Sequence, residues 1–196
     1  MKKTYAACLA AAVVALGSVT AQAAPVDYRI DPTHTEVVVT WDHLGFSKPT
    51  AHAGGITGVV RYDAARPANS SVDLRVPVPQ FTSHVAKLDE MFQSAEFFEA
   101  AKYPDIQFKS TSVTDQGDGR LQIKGVLRVK GVEKPVVLQA RQNKQGVHPM
   151  LERPAIGFDA TTTLKRSDFG VDAFAPAVSD EVQLRITVEA VADAAR

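Results

Sequence analysis

Beyond about residue 24, apolar side chains recur at every second position rather than every third or fourth. Val182, Leu184, Ile186, Val188 and Ala190 alternate with Gln183, Arg185, Thr187 and Glu189. Leu121, Ile123, Gly125, Leu127 and Val129 alternate with Gln122, Lys124, Arg128 and Lys130, interrupted only by Val126. Val72, Leu74 and Val76 alternate with Asp73, Arg75 and Pro77. A period of two marks a strand with one buried face, because successive side chains point to opposite sides of a sheet. Weaker alternation runs through 36–43, 55–63, 105–113, 135–142 and 155–165, so the pattern predicts eight strands.

The connections are short. Arg66-Pro67-Ala68-Asn69-Ser70-Ser71 reads as a loop, Asp115-Gln116-Gly117-Asp118-Gly119 as a tight hairpin connection, and Lys130-Gly131-Val132-Glu133 as another hairpin turn. Strands joined this closely pair antiparallel, since a parallel crossover needs about a dozen residues or more. Eight strands with one apolar face each can curl around a common interior and leave no open edge. The fold class is therefore all-β, an eight-stranded antiparallel barrel, with a two-sheet sandwich as the alternative if the sheet does not close.

One stretch departs from the period of two. Val85, Leu88, Met91, Phe92 and Ala95 recur at helical spacing, with Ser83 placed to cap the start. Glu96-Phe97-Phe98-Glu99 extends the segment and Tyr103-Pro104 ends it. A short helical insert on a barrel covers one mouth or plugs a gap between strands. Its apolar groups, Leu88, Met91, Phe92, Phe97 and Phe98, exceed what a solvated connection needs and are expected to meet a ligand or guard its passage. Asp89, Glu90, Glu96 and Glu99 read as the solvated side of the insert.

The N-terminal segment sets the compartment. Lys2 and Lys3 precede an apolar run from Tyr5 to Leu16, and Ala21-Gln22-Ala23 has the small-x-small form of a cleavage site. The run is shorter than the roughly 20 residues that span a bilayer. Residues 1–23 are thus expected to be a cleaved signal peptide, and residues 24–196 one exported domain that starts at Ala24. Cleavage removes the only cysteine, Cys8, so the mature domain must hold itself together by apolar burial rather than disulfides. It also removes Lys2 and Lys3 from a chain with 22 basic and 22 acidic groups, which leaves a net charge of about −2. That balance offers no electrostatic reason to bind nucleic acid or an anionic membrane surface.

Few residues invite covalent chemistry. His34, His43 and His52 stand nine apart, which matches no local metal-ligand spacing, and no mature cysteine assists them; no metal is expected. No Gly-x-Ser-x-Gly elbow and no phosphate-binding glycine loop occurs. His43 shares the parity of Val37, Val39 and Trp41, which aims it inward at the end of an apolar face, where a lone polar group can contact a ligand. The large rings singled out are Trp41, Phe46, Phe92, Phe97, Phe98, Phe108, Phe158, Phe169 and Phe174. With Met91 and His43 they form the candidate ligand-contacting set. Aromatics make up 7% of the chain, an ordinary share that does not separate a filled barrel from a hollow one.

Several motifs resemble one known family. Tyr28-Arg29-Ile30-Asp31-Pro32-Thr33-His34-Thr35 with His43-Leu44-Gly45-Phe46-Ser47 resembles the opening of the YceI-like family. Glu96-Phe97-Phe98-Glu99 with Tyr103-Pro104-Asp105-Ile106-Gln107-Phe108-Lys109-Ser110 is similar to its central signature, and Gly125 to Val132 with Pro135-Val136 to its hairpin. Ser167-Asp168-Phe169-Gly170 and Asp180-Glu181-Val182 complete the order. The resemblance implies an extended lipocalin-like barrel in the periplasm, often homodimeric, whose tunnel holds a polyisoprenoid, an isoprenoid quinone or another long-chain amphiphile without a covalent cofactor. It implies a binding protein for storage, sequestration or transport, with an inner-membrane partner for delivery. Capture of lipophilic antibiotics or toxins is the main alternative, and an enzyme acting on a prenyl head group the lesser one. Leu88 and Met91 stand where the family often has Arg and His, and His148-Pro149-Met150 replaces an Asp-Pro-Trp-Gly loop, so head-group contacts from those positions do not carry over.

Overall fold

The computed structural model describes residues 24–193. The expected signal peptide, residues 1–23, lies outside the described residues. The strands are β1 (Val26–Ile30), β2 (Glu36–His43), β3 (Thr50–Ala53), β4 (Thr57–Tyr62), β5 (Ser71–Pro77), β6 (Phe81–Thr82), β7 (Asp105–Asp115), β8 (Arg120–Val129), β9 (Val132–Val147), β10 (Pro154–Lys165) and β11 (Val178–Ala192). One helix, α1 (Ala86–Gln93), lies between β6 and β7.

All strand pairings are antiparallel, and the circuit β1-β4-β5-β7-β8-β9-β10-β11 returns to β1. Tyr28 faces Ala192, Arg29 faces Val191 and Ile30 faces Ala190 across the closing seam. The sheet is a closed eight-strand barrel, which removes the sandwich alternative. The three extra strands are continuations: β2 prolongs β1, β3 precedes β4 and β6 prolongs β5, and they pair in the order β11-β2-β3-β6. The eight expected strands are present, three of them broken.

The break between β1 and β2 is bridged to β11 by the Asp31 N–H, which donates to the Glu189 carbonyl at 2.9 Å, and by the Thr35 hydroxyl. Residues 31–35 bridge a stretch in which β11 advances only from Thr187, opposite Glu36, to Ala190, opposite Ile30. Thr35, 3% exposed, donates its hydroxyl to the Glu189 carbonyl at 3.2 Å and accepts the Glu189 N–H at 3.2 Å. A side chain thus replaces the ladder bonds that the excursion removes.

Up-and-down connectivity sorts the loops to two ends. The β2–β3 tip, the α1 insert, the β8–β9 turn and the β10–β11 connection share one end; the β4–β5, β7–β8 and β9–β10 connections share the other. At the first end β6 pairs with β3 but not with β7, and the insert fills the gap. The helix is shorter than its periodicity predicts, ending at Gln93, because the Ser94 hydroxyl turns back onto the Met91 carbonyl at 2.7 Å and tight turns follow. Ser83 is not its cap: Val85 holds that position, and Ser83 Oγ donates to Asp89 Oδ1 at 2.6 Å instead. Asp89 therefore belongs to an internal hydrogen-bond set rather than to a solvated helix face.

The far end of the barrel is filled. Tyr28, Val60, Tyr62, Val113, Leu121, Ile123, Ala140, Ile156, Phe158 and Ala190 are all buried there. The Tyr62 and Phe158 rings meet edge to face at 5.5 Å. Gly125 ends this packed zone. A Cβ at that position would stand 2.5 Å from the Phe108 ring and 2.7 Å from the Lys109 carbonyl oxygen. The missing side chain lets Phe108 lie across β8 as a floor.

Candidate functional site: an apolar cavity with one open end

Above the Phe108 floor the interior is empty. A cavity of about 730 Å³ runs toward the insert end, lined from all sides of the barrel. Its size falls within the roughly 300–1,000 Å³ of small-molecule sites. The walls are the inward parity of the strands, with Val37, Val39 and Trp41 from β2, Leu127 and Val129 from β8, and Val182, Leu184 and Ile186 from β11. Many wall residues are only half-buried because they face this space.

Among the described residues, four polar side chains reach the lining: Thr35, His43, Thr162 and Arg166. Three are already engaged. Thr35 bridges to Glu189, and Thr162 donates to the Val137 carbonyl at 2.9 Å. Arg166 donates to the carbonyls of Val171, Ala173, Val178 and Ser179, each at 2.8 Å. Those four acceptors tie the β10–β11 connection into a fixed shape beside the mouth. Burial pulls the Arg166 guanidinium below its ordinary pKa, while Asp180 and Asp172 push it back up. His43 is exposed at the mouth.

The mouth is marked by residues that line the cavity yet remain exposed: Leu44 at 50%, Val85 at 56% and Phe174 at 57%. They come from the β2–β3 tip, the start of the insert and the β10–β11 connection. The insert behind Val85 is a plug. Phe92, 7% exposed, packs its ring against those of Trp41, Phe81, Phe97 and Phe98.

Of the residues singled out in the sequence, Trp41, His43, Met91, Phe92, Phe97, Phe98, Phe108, Phe169 and Phe174 line this one space. Two do not. Phe158 has the inward parity but sits in the filled end against Tyr62, and Phe46 points out from the hairpin tip, 90% exposed. Arg166 escaped notice, although its signal is present: it continues the inward series Ala160, Thr162, Leu164 as a lone charge.

The three evenly spaced histidines do not converge. His34 pairs with Asp31 at 2.8 Å, His52 pairs with Glu36 at 2.8 Å, and His43 stands alone at the mouth. Asp31, His34 and Glu189 each bring one ligand-type atom within 4.8 Å of the others at the first strand break. None of them lines the cavity. Each has a protein partner there, His148 Nε2 meeting Glu189 at 3.2 Å. The hydrogen bond from His34 is the main cause that holds the Asp31 carboxyl down at about 2.

Comparison with known proteins agrees with this architecture. Residues 28–190 match the family model described as the YceI-like domain. A UPF0312 protein of Pseudomonas putida strain F1 is 36% identical over 194 residues, covering 97% of this chain and 98% of that protein. The crystal structure of Burkholderia cenocepacia BcnA superposes with a TM-score of 0.74 at 21% identity, over 82% of this chain and 98% of that one. A polyisoprenoid binding domain from Saccharophagus degradans, implicated in plant cell wall breakdown, superposes with a TM-score of 0.67 at 13% identity, over 86% and 99%. The chain belongs to the YceI-like family.

Proposed function

We propose that this protein holds the apolar chain of an isoprenoid lipid or isoprenoid quinone inside its barrel, and stores, sequesters or shuttles it through the periplasm. One observation carries this reading: the cavity, about 730 Å³, is apolar, and three of its four polar side chains have their hydrogen bonds met by the protein. Such walls have little to offer a charged or hydroxylated substrate, and much to offer a hydrocarbon tail. His43 at the mouth is the polar group available for a head group. The Saccharophagus domain of the same fold, described as polyisoprenoid binding, supports the same class of ligand.

The energetics favour exchange over capture from water. A prenyl chain of roughly forty carbons leaving water would gain about 30 kcal/mol, at about 0.8 kcal/mol per carbon. That exceeds the practical ceiling of about 18–21 kcal/mol for non-covalent binding. The relevant transfer is from a membrane, where the chain is already in hydrocarbon, so the net gain is small and the barrel can both load and unload.

Organic extraction and mass spectrometry of protein purified from its native host test the proposal. The expected result is one long-chain lipid per barrel. Recovery of only small lipophilic compounds would turn the reading to sequestration of toxins. An empty barrel that turned over a prenyl substrate would replace it with an enzyme.

A further inference from the structure

The rim of the cavity turns apolar groups outward. Phe46, at the β2–β3 tip, is 90% exposed and neither lines the cavity nor joins the buried core. Phe174, Val85 and Leu44, at the same end of the barrel, are half or more exposed. These tips share one scaffold: the Phe46 N–H donates to the His43 carbonyl at 3.0 Å, and the Leu44 N–H donates to the Ala177 carbonyl at 3.2 Å. The second bond ties the hairpin tip to the connection that carries Phe174.

Backbone geometry makes the outward display specific. Leu44 (φ 59°) and Phe174 (φ 65°) are both left-handed, a conformation that bulky residues seldom adopt and that persists only where the surroundings impose it. A patch of exposed rings at the open end of a hydrocarbon-sized cavity calls for an apolar cover.

We propose that this rim is a membrane-docking surface. Phe46 and Phe174, with Leu44 and Val85 of the same rim, enter the boundary between head groups and acyl chains of one leaflet, so the mouth opens into hydrocarbon. A lipid tail then passes from bilayer to barrel without crossing water. The proposal rests on the lipid-carrier reading above and adds where and how loading occurs. Two observations select a bilayer as the occupant. Leu44, Val85 and Phe174 belong both to the exposed rim and to the cavity lining, as a transfer route requires. The exposed charges nearest them in sequence, Lys48 and Lys87 against Glu90 and Asp172, cancel, so docking depends on insertion rather than on attraction to anionic groups.

The test uses the purified protein, phosphatidylcholine vesicles with and without a long-chain polyprenol, and the double variant Phe46→Ser/Phe174→Ser. Met150→Ser is the control, since Met150 is 85% exposed at the opposite end. Trp41, the only tryptophan, lines the cavity and reports its filling by fluorescence. The wild type should sediment with vesicles at low and high salt, and the double variant about tenfold less. Polyprenol transfer from vesicles should slow by a similar factor in the double variant and part-way in Phe46→Ser alone, while loading of Phe46→Ser from detergent micelles stays at the wild-type rate, because the Phe46 ring lies outside the cavity lining. Met150→Ser should match the wild type throughout. Docking is overturned if the double variant sediments and loads from vesicles as the wild type does, if high salt releases the wild type, or if the double variant merely dissolves a dimer. Should the wild type sediment with vesicles yet take up no polyprenol from either source, the carrier reading fails and the docking surface stands.

Discussion

The two ends of the barrel are built by the same strands and differ in what those strands enclose. β8 sends Leu121 and Ile123 into the filled end and Leu127 and Val129 into the cavity. β10 sends Ile156 and Phe158 into the first, Thr162 and Leu164 into the second. At the filled end, Ala140, Ala160, Ala190 and Ala192 occupy inward positions beside a few rings, and β1 closes directly on β11. At the hollow end β6 and β7 part, the wall grows wider than its side chains can fill, and the insert plugs the gap. Alternation decides which side chains face inward. Whether they meet one another depends on circumference, which three strand breaks and a helix determine.

The sharpest way to break this comparison is to truncate one residue in each half. Phe158→Ala should lower the unfolding free energy of ligand-free protein by about 3–5 kcal/mol, because it opens a hole where atoms touched. Leu184→Ala only enlarges an existing space and should cost about half as much or less. Denaturant unfolding of both variants measures the difference, and equal losses would mean that the two ends are packed alike. Added ligand should stabilise the Leu184 variant more than it offsets the loss at Phe158, since only the hollow end has a site to fill.

Arg166 offers the next largest effect. Arg166→Lys keeps the charge but not the planar fork that serves four carbonyls, and should cost about 2–3 kcal/mol through acceptors left unpaired. Because those carbonyls shape the mouth, ligand release should quicken in parallel. Unaltered release from the folded variant would show that the mouth keeps its form without them.

Gly125→Ala tests the floor between the halves. The added methyl group presses on the Phe108 ring, and overpacking of this kind costs about 1–3 kcal/mol. The ring's way out is upward, so the variant should prefer shorter chains in a competition among polyprenols of graded length. An unchanged preference would place the floor elsewhere.

The smallest effect concerns the outer wall at the first strand break. Asp31, held at about 2, contributes stability fully above a pH of about 4, its unfolded value, and loses it as pH falls toward 2. His34, raised mainly by its hydrogen bond to Asp31, contributes fully below about 6.5 and loses its share as pH rises through its folded value. The pair should therefore help most between about pH 4 and 6.5, by a small margin given its exposure. Replacing His34 with Ala should flatten thermal stability across that window and leave the cavity untouched.

How much of this was legible in the sequence follows from the same physics. Eight strands and an inward parity could be read because each long strand repeats its alternation several times. β1, β3 and β6 were missed because five, four and two residues are too few to show a period, and because they belong to strands already counted. Phe158 was assigned to the ligand by a parity that holds equally in the filled end. The rim lay beyond sequence reading for another reason. Gly45 announces the turn at Phe46, but no glycine or asparagine marks the left-handed Phe174, whose backbone is imposed by the connection that Arg166 organises.

The seam between β1 and β11 has a consequence for the order in which the protein comes into being. Most of the wall consists of hairpins between neighbours in the chain, which can zip as soon as both strands exist. Closure is different: Tyr28 must find Ala192, across almost the full described length, and Arg29 Nε meets Asp193 at 2.7 Å just past that register. A nascent chain that lacks its last strand can form a curled open sheet but no enclosed space. The container thus becomes a container in its final step, after every residue that lines it has been made, and a chain truncated before β11 would expose hydrocarbon-binding walls to whatever lay nearby.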